Sequence, residues 1–156
     1  MKISKVKLKN FKCFGPVETV IYLNDLSVII GANNSGKSAV LLALQRLFGM
    51  TNRERDIERS DFHIPKGKKP EDVTSSDLTI EATVEFPELI EQDGSASISV
   101  PELFERMVID SPEANLYERI RLEASWEVGN SPEGNIDTKK FFIIVPEDDP
   151  NEGGEG

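Results

Sequence analysis

The sequence predicts an α/β fold in which a strand, a glycine-rich loop and a helix are followed by an antiparallel β-region. Three observations support this prediction. A short apolar run at residues 26–30 leads into the motif G-x-x-x-x-G-K-S at residues 31–38. An amphipathic helical pattern follows the motif directly. Farther along, residues 78–86 and 119–128 alternate apolar and polar side chains, which is typical of half-buried antiparallel strands.

The glycine-rich motif has the residue types and the spacing of a phosphate-binding loop. Gly31 allows a tight turn out of the strand, and Gly36 allows the backbone to approach a phosphate without an intervening Cβ. Successive backbone N–H groups of such a loop form a nest for anions. We expect Lys37 to reach the β- and γ-phosphates and the Ser38 hydroxyl to bind Mg²⁺.

The segments on either side of the loop support this interpretation. The run before it has the composition of a buried parallel strand. Its apolar residues are Leu26, Val28, Ile29 and Ile30. The apolar residues after the loop recur at helical spacing and predict one buried helix face. They are Val40, Leu41, Leu44, Leu47 and Phe48. Gly49 stands where a C-terminal cap belongs, and the helix N-terminus would direct its positive end at the phosphates.

Composition limits the possible functions. The chain has 156 residues, enough for one domain with a core, and a net charge of −10. Because surfaces that grip nucleic acid are basic, this charge argues against a main DNA-binding surface here. The single cysteine, Cys13, excludes an internal disulfide, and together with the single histidine, His63, it does not supply a usual zinc site. Without a membrane-length apolar run or signal peptide, we expect a soluble cytoplasmic protein that makes no membrane contact.

The first strand is predicted at residues 2–9, with lysines along one face and a turn at residues 10–16 after it. The lysines that precede the first acid, Glu18, are Lys2, Lys5, Lys7, Lys9 and Lys12. We interpret them as the solvated face of an edge strand, which resists aggregation. A small patch that faces a nucleotide or nucleic acid is the alternative. A second strand is predicted at residues 17–23.

Residues 50–77 form a long polar connection, and connections of this length are usually functional or mobile. Asp61 and His63 within it are expected to brace the loop through local backbone bonds. A strand at residues 78–86 follows, and a short helix is predicted at residues 99–110 from its capping pattern.

The last part of the sequence predicts a β-hairpin and a tail. Strands at residues 119–128 and 139–145 are expected to form the hairpin and to pair with the strand at 78–86. Residues 146–156 are acidic and glycine-rich, and we expect them to be disordered.

The order of these elements resembles the opening of ABC-type ATPases of the SMC/RecF class. Those proteins begin with a strand, an N-F-[RK]-x-[FY] turn, which is N-F-K-C-F here at residues 10–14, a second strand and then the phosphate-binding loop. Within that class the chain looks most like the OLD (overcoming lysogenisation defect) family. The similarity lies in G-A-N-N-S-G-K-S, the short N-terminal lead and the later R-S-D-F-H at residues 59–63. It covers residues 1–63 well and the remainder only in general character.

The resemblance implies the N-terminal lobe of an ABC-type ATPase with an antiparallel β-subdomain, covering residues 1–145 as a partial domain. It implies ATP and Mg²⁺ as ligands, head-to-head dimerisation of two lobes, and a C-terminal nuclease domain that cuts DNA. It places Lys12 near the nucleotide, and it offers the alternative that Asp61 and His63 line that site. Lys37 is the expected catalytic residue and Ser38 the expected metal ligand. The expected nucleotide-binding residues are Lys12, Gly31, Asn33, Asn34, Ser35, Gly36, Lys37, Ser38 and Ala39.

Several parts of an ATP-cleaving site are not recognisable in the sequence. Such sites need an acid after a second buried strand and a residue that positions water. The acidic run Glu147, Asp148 and Asp149 follows an apolar segment, but Pro146 intervenes and the segment is predicted to be a hairpin arm. No signature loop is found. Neither glutamine, Gln45 nor Gln92, is placed like the Mg²⁺-sensing glutamine of the class.

The sequence therefore predicts a lobe that holds a nucleoside triphosphate and does not cleave it alone. The leading hypothesis is the ATPase lobe of an OLD-family protein, coupled in the longer protein to DNA cleavage or phage defence. The alternatives are a RecF- or SMC-like repair ATPase without a nuclease, a small-molecule kinase, and a nucleotide-binding module that never hydrolyses ATP. Two strands and a basic turn before the loop argue against the kinase.

Overall fold

The computed structural model describes residues 1–33, 35–87, 116–131 and 133–145 of the chain. The strands are β1 (Lys2–Lys9), β2 (Thr19–Tyr22), β3 (Ser75–Glu85), β4 (Tyr117–Glu127) and β5 (Asn135–Ile143). The helices are α1 (Lys37–Phe48) and α2 (Asn52–Arg55), with 3₁₀ turns at Arg59–Asp61 and Pro70–Asp72. The helix predicted at 99–110, the residue Gln92 and the acidic tail lie outside the described residues.

The strands form one antiparallel sheet in the order β2-β1-β3-β4-β5. β4 and β5 make the predicted hairpin, and β4 pairs with β3 along its whole length, Ser75 opposite Glu127 and Glu85 opposite Tyr117. The segment at 139–145 is thus the edge arm of a hairpin, as predicted, and β5 begins four residues earlier than expected. The predicted mixed fold, an antiparallel β-layer beside the helix of the phosphate-binding loop, is confirmed.

Helix α1 packs on one face of this sheet. Leu8, Ile80 and Leu122 lie side by side on β1, β3 and β4, and all are at least 97% buried. The buried residues of α1 are Val40, Ala43, Arg46 and Leu47. The predicted helix face was therefore partly wrong, since Leu41 and Phe48 are 63% and 40% exposed. Helical periodicity does not reveal that Arg46 can be buried, and it is buried here because an acid pairs with it.

The predicted strand at residues 26–30 is not formed. Residues 27–31 have no regular secondary structure, and Leu26, Val28 and Ile30 are 86%, 73% and 88% exposed. A parallel strand needs hydrogen-bonded neighbours for its N–H and C=O groups. The described strands pair only with one another in antiparallel fashion, so none of them supplies that neighbour.

The prediction that β1 is an edge strand was also wrong, because β1 lies between β2 and β3. Its lysines are not simply solvated. Lys7 lies within 4.0 Å of Glu18 and of Glu81, and its side chain is only 14% exposed. Glu81 is buried and accepts hydrogen bonds from Arg119 and Arg121. An ionic network therefore covers the sheet face opposite α1. Among the described helices, none is both long and apolar enough to cross a membrane.

Glu118 on β4 provides a test of the core. Glu118 is 3% exposed, and its Oε1 has no hydrogen-bond partner within the described part of the chain. Burial raises the pKa of this carboxyl above 4.5, although the nearby Lys140 ammonium acts in the opposite direction. Because the folded-state pKa is raised, ionisation of Glu118 costs stability as the pH rises through it.

We therefore expect Glu118→Gln to be more stable than the wild type at pH 8, and the difference to shrink as the pH falls toward 4.5. Urea unfolding at a series of pH values measures this. The matched control is Glu123→Gln, the same substitution at a half-exposed position of β4, which should show no such pH-dependent gain. A Glu118→Gln variant less stable than the wild type at pH 8 would contradict the conclusion that the ionised Glu118 carboxyl costs stability.

Candidate nucleotide-binding site

A cavity of about 670 Å³ lies where the turn after β1 meets the loop before α1. Its lining residues are Lys12, Cys13, Asn33, Ser35, Gly36, Lys37, Ser38, Ala39 and Leu42. The volume falls within the range of small-molecule sites. None of the described residues that line it is acidic, whereas Lys12 and Lys37 both carry a positive charge. The cavity therefore suits an anion.

The start of α1 strengthens this preference. Gly36 precedes the helix in the left-handed conformation at φ 93°, and the first helical bond runs from the Val40 N–H to the Gly36 carbonyl. The N–H groups of the first turn have no partners within the helix, and they carry the positive end of its dipole. No acidic side chain in the first turn neutralises that end. A phosphate is the anion that such helix starts most often bind.

Lys37 is folded back on its own loop. Its Nζ donates to the carbonyl oxygens of Gly31 at 2.5 Å and Ala32 at 2.6 Å, and lies 3.5 Å from the Ser35 hydroxyl. These neutral carbonyls are weaker partners for the ammonium than phosphate oxygens, because the negative charge of a phosphate adds a Coulombic attraction. The loop thus holds the Lys37 ammonium beside the cavity, where it can exchange its carbonyl contacts for contacts with a bound anion.

The turn after β1 forms the opposite side of the cavity. Asn10 and Lys12 both adopt φ 52°, a left-handed conformation that non-glycine residues rarely occupy. The turn is closed by a hydrogen bond of 2.8 Å from the Asn10 N–H to the Gly15 carbonyl. Such backbone conformations persist only where surrounding contacts enforce them.

Those contacts come from residues 60–63. The Lys12 N–H donates to the Asp61 carbonyl at 2.7 Å, and the His63 N–H donates to the Asn10 carbonyl at 2.9 Å. His63 Nδ1 lies 2.8 Å from the Lys12 carbonyl, so this nitrogen carries the proton. Phe11 and Phe62 form an antiparallel bridge between the two segments, and both are buried. The N-F-K-C-F turn and the R-S-D-F-H segment, which are 48 residues apart at Lys12 and Ser60, are therefore one structural unit.

Asp61 and His63 brace this unit and do not line the cavity. Bracing of the loop was the favoured expectation for these two residues, and lining of the nucleotide site was the alternative. Of the predicted nucleotide-binding residues, Gly31 contributes a carbonyl to Lys37 without lining the cavity, and Asn34 lies outside the described residues. The other predicted residues, Lys12, Asn33, Ser35, Gly36, Lys37, Ser38 and Ala39, do line it.

Sequence reasoning missed two lining residues, Cys13 and Leu42. Both carried a signal. Leu42 is four residues after Ser38 and therefore on the same helix face. Cys13 adjoins Lys12 in the turn, and a Cβ added at Gly36 would lie 2.9 Å from its Sγ. Gln45 does not line the cavity and instead lies 3.5 Å from Glu54.

The residues present fit Mg²⁺ bound together with a nucleotide. Among the described residues, no group of three or more histidine, cysteine or acidic side chains could hold a metal alone. Mg²⁺ usually takes only one or two protein ligands and otherwise uses phosphate and water oxygens. The Ser38 hydroxyl lines the cavity at the first turn of α1 and can supply one such oxygen.

Comparison with known proteins identifies the family. A family model described as an AAA ATPase domain matches residues 1–139. The chain belongs to this ATPase domain family. A solved chain from a study of the ATP-driven dimerization and DNA-stimulated activation of SMC ATPases shares its fold. That match has a TM-score of 0.50 and 21% identity, and it covers 90% of this chain and 69% of the other.

Two curated proteins are similar over part of the chain. Uncharacterized protein 094L of Invertebrate iridescent virus 3 is 37% identical in an alignment of 78 residues, and the match covers 42% of this chain and 9% of that protein. Endonuclease GajA of Bacillus cereus (strain VD045) is 36% identical over 80 residues, which is 51% of this chain and 14% of that protein. The resemblance to an OLD-type ABC ATPase region is confirmed by these findings together. The chain matches only a small part of the length of these relatives.

Gly36 provides a test of the cavity wall. A Cβ there would lie 2.9 Å from Cys13 Sγ and 3.0 Å from Phe14 Cζ, at a φ of +93°. Gly67 is a matched control, since its φ is +86° and no atom of the described residues lies within 4 Å of an added Cβ. We expect Gly67→Ala to lose about 1–2 kcal/mol, the usual strain of this conformation, and Gly36→Ala to lose more, because Cys13 or Phe14 must shift to admit the Cβ.

Only Gly36→Ala should change the environment of Cys13, the single cysteine of the chain. Urea unfolding and the rate of Cys13 alkylation by a maleimide measure the two effects. Equal alkylation rates for the wild type and Gly36→Ala would show that the loop and the turn do not meet as described.

Proposed function

We propose that this chain binds Mg²⁺·ATP in the cavity between the turn at 10–14 and the loop at 31–38. The observation that carries the proposal is the combination of two lysines, an uncapped helix start and a left-handed Gly36 around one cavity that no described acid lines. Membership of an ATPase domain family supports ATP as the ligand.

Six of the lining residues have a proposed part. Lys37 releases the carbonyls of Gly31 and Ala32 and takes up the β- and γ-phosphates. The backbone of Asn33, Ser35 and Gly36 surrounds the phosphates, and N–H groups of the first helical turn donate to them. Lys12 adds a second positive charge from the opposite wall. Ser38 offers its hydroxyl to Mg²⁺. The bound ion would offset part of the negative charge of the phosphates.

We further propose that the chain is one lobe of a larger ATPase and does not hydrolyse ATP alone. The exposed apolar run at 26–30 supports this, because a further polypeptide beside it would turn it into the buried strand that its composition predicts. The absence of an acid among the described lining residues supports it as well, since hydrolysis requires a residue that positions water.

For the whole protein, we propose that ATP binding brings two lobes together and controls DNA cleavage by a nuclease domain, in phage defence. The similarity to a protein named an endonuclease supports the nuclease. The fold similarity to SMC ATPases, whose study concerns ATP-driven dimerization, supports paired lobes. The same fold similarity equally favours the second candidate, a RecF- or SMC-like DNA-repair ATPase without a nuclease. A cytoplasmic location remains a prediction.

Calorimetric titration with Mg²⁺·ATP tests the binding proposal. The wild-type chain should bind, and Lys37→Ala should weaken binding by about tenfold or more, because charge-assisted hydrogen bonds to phosphate are lost. The control is Lys66→Ala, which removes the same charge from an exposed loop position and should leave the affinity within about twofold. Equal affinity for the wild type and Lys37→Ala would refute the site.

A turnover assay on the same proteins tests the incomplete-lobe proposal. We expect phosphate release by the wild-type chain to equal the Lys37→Ala background. Turnover that depends on Lys37 would show that this chain carries its own hydrolytic residues, and would direct attention to Glu147, Asp148 and Asp149.

A further inference from the structure

Asp61 is a buried carboxylate that the proposed binding mode does not use directly. The residue is fully buried and does not line the cavity. Its Oδ1 lies 2.9 Å from Lys12 Nζ, and its Oδ2 accepts a hydrogen bond of 2.9 Å from Arg46 Nε on α1. The carboxylate thus joins the turn that carries one cavity lysine to the helix that carries the other.

We propose that Asp61 is a positioning residue for nucleotide binding, which holds the Lys12 ammonium at the cavity wall. This inference rests on the proposed function, because it assumes that phosphates occupy the cavity. It differs from the expectation that Asp61 itself lines the site, since Asp61 acts here through Lys12.

The geometry around Lys12 explains why a positioning residue is effective. A lysine side chain is flexible, and fixing it costs up to about 2 kcal/mol of conformational entropy. The Lys12 ammonium lies 2.9 Å from Asp61 Oδ1 and donates a hydrogen bond of 3.3 Å to the Ser60 hydroxyl, so two contacts already restrain it while N–H directions remain for a ligand. Part of the entropy cost of ordering the Lys12 side chain is therefore already met before a nucleotide binds.

The contact with Asp61 orients Lys12 without cancelling its charge. Among the described residues Oδ1 has no aligned hydrogen-bond donor, so its contact with Lys12 is mainly Coulombic. Arg46 on the other oxygen offsets the negative charge of Asp61. The Lys12 side chain remains 28% exposed, which keeps its ammonium accessible from the cavity.

Asp72 provides a control that separates the positioning of Lys12 from the local capping role of Asp61. Asp61 also accepts the N–H of Glu58 at 3.0 Å, which caps the 3₁₀ turn Arg59–Asp61. Asp72 caps the 3₁₀ turn Pro70–Asp72 in the same way, through the N–H of Lys69 at 3.2 Å. Asp72 is exposed. Asp72→Asn therefore removes the charge of a capping acid, as Asp61→Asn does, without touching Lys12.

The test is a double-mutant cycle on the 156-residue chain with Lys12→Ala, Asp61→Asn and the double variant, measured by Mg²⁺·ATP titration and thermal unfolding. We expect each single variant to bind ATP about tenfold more weakly, the equivalent of one charge-assisted hydrogen bond. The double variant should bind no more weakly than Lys12→Ala alone, because Asp61 acts through Lys12. Asp72→Asn should bind like the wild type.

Several outcomes would overturn the inference. Additive losses near a hundredfold would mean that Asp61 affects binding through the fold alone. Unchanged or tighter binding by Asp61→Asn would mean that it does not position Lys12. Failure of the wild type to bind ATP, or equal binding by Lys37→Ala, would instead refute the proposed function itself.

A measurement on the wild type avoids the risk that Asp61→Asn does not fold. Nitrogen-15 NMR of the lysine ammonium groups should show a restricted, slowly exchanging Lys12 signal, assigned by its loss in Lys12→Ala. The exposed Lys66 ammonium serves as the mobile reference. A Lys12 ammonium as mobile as that of Lys66 would overturn the inference without any substitution at Asp61.

Discussion

The contact between the turn at 10–14 and the segment at 60–63 is the constraint on which the cavity depends. The turn contains two non-glycine residues in the left-handed conformation, which local sequence alone would not maintain. Backbone bonds to Asp61 and from His63 hold it in place, and the Phe11–Phe62 bridge buries its centre. Because Asp61 also binds Arg46, the same contact fixes the turn relative to α1. Removing one partner of a buried ion pair typically costs about 3–5 kcal/mol.

This arrangement separates the structural roles from the chemical ones. The sheet and the buried face of α1 supply a scaffold, in which Ile80 and Leu47 are completely buried. The cavity is formed by the turn at 10–14, the loop before α1 and the start of α1, and its lysines come from the turn and from the helix start. A lysine on each side lets one anion be held from two directions, which is the geometric basis of the proposed nucleotide binding.

The apolar run at 26–30 has no neighbouring strand within the described part of the chain. Leu26, Val28 and Ile30 are largely exposed, although their composition is that of a buried strand. Exposed apolar runs of this kind mark surfaces that contact other polypeptide. The proposal of a larger ATPase accounts for this exposure, and the small matched share of the curated relatives agrees with it.

Much of the fold could be predicted from the sequence, because alternation along β3 and β4 directly reflects one buried and one exposed face. The phosphate-loop motif likewise led to most of the cavity lining. Three features were not accessible. The central place of β1 depends on strand order, which lysine alternation does not encode. The burial of Arg46 depends on its pairing with Asp61, 15 residues away. The unformed strand at 26–30 depends on the partners available to it rather than on its own composition.

The most direct test of the central claim is a crystal structure of the chain with Mg²⁺ and a non-hydrolysable ATP analogue. We expect the phosphates at the start of α1, with Lys37 Nζ moved from the Gly31 and Ala32 carbonyls onto them. We also expect Lys12 Nζ to remain within about 3.5 Å of the Asp61 carboxylate while facing the phosphates. An analogue bound elsewhere, or a Lys12 that has left Asp61, would contradict the proposed binding mode.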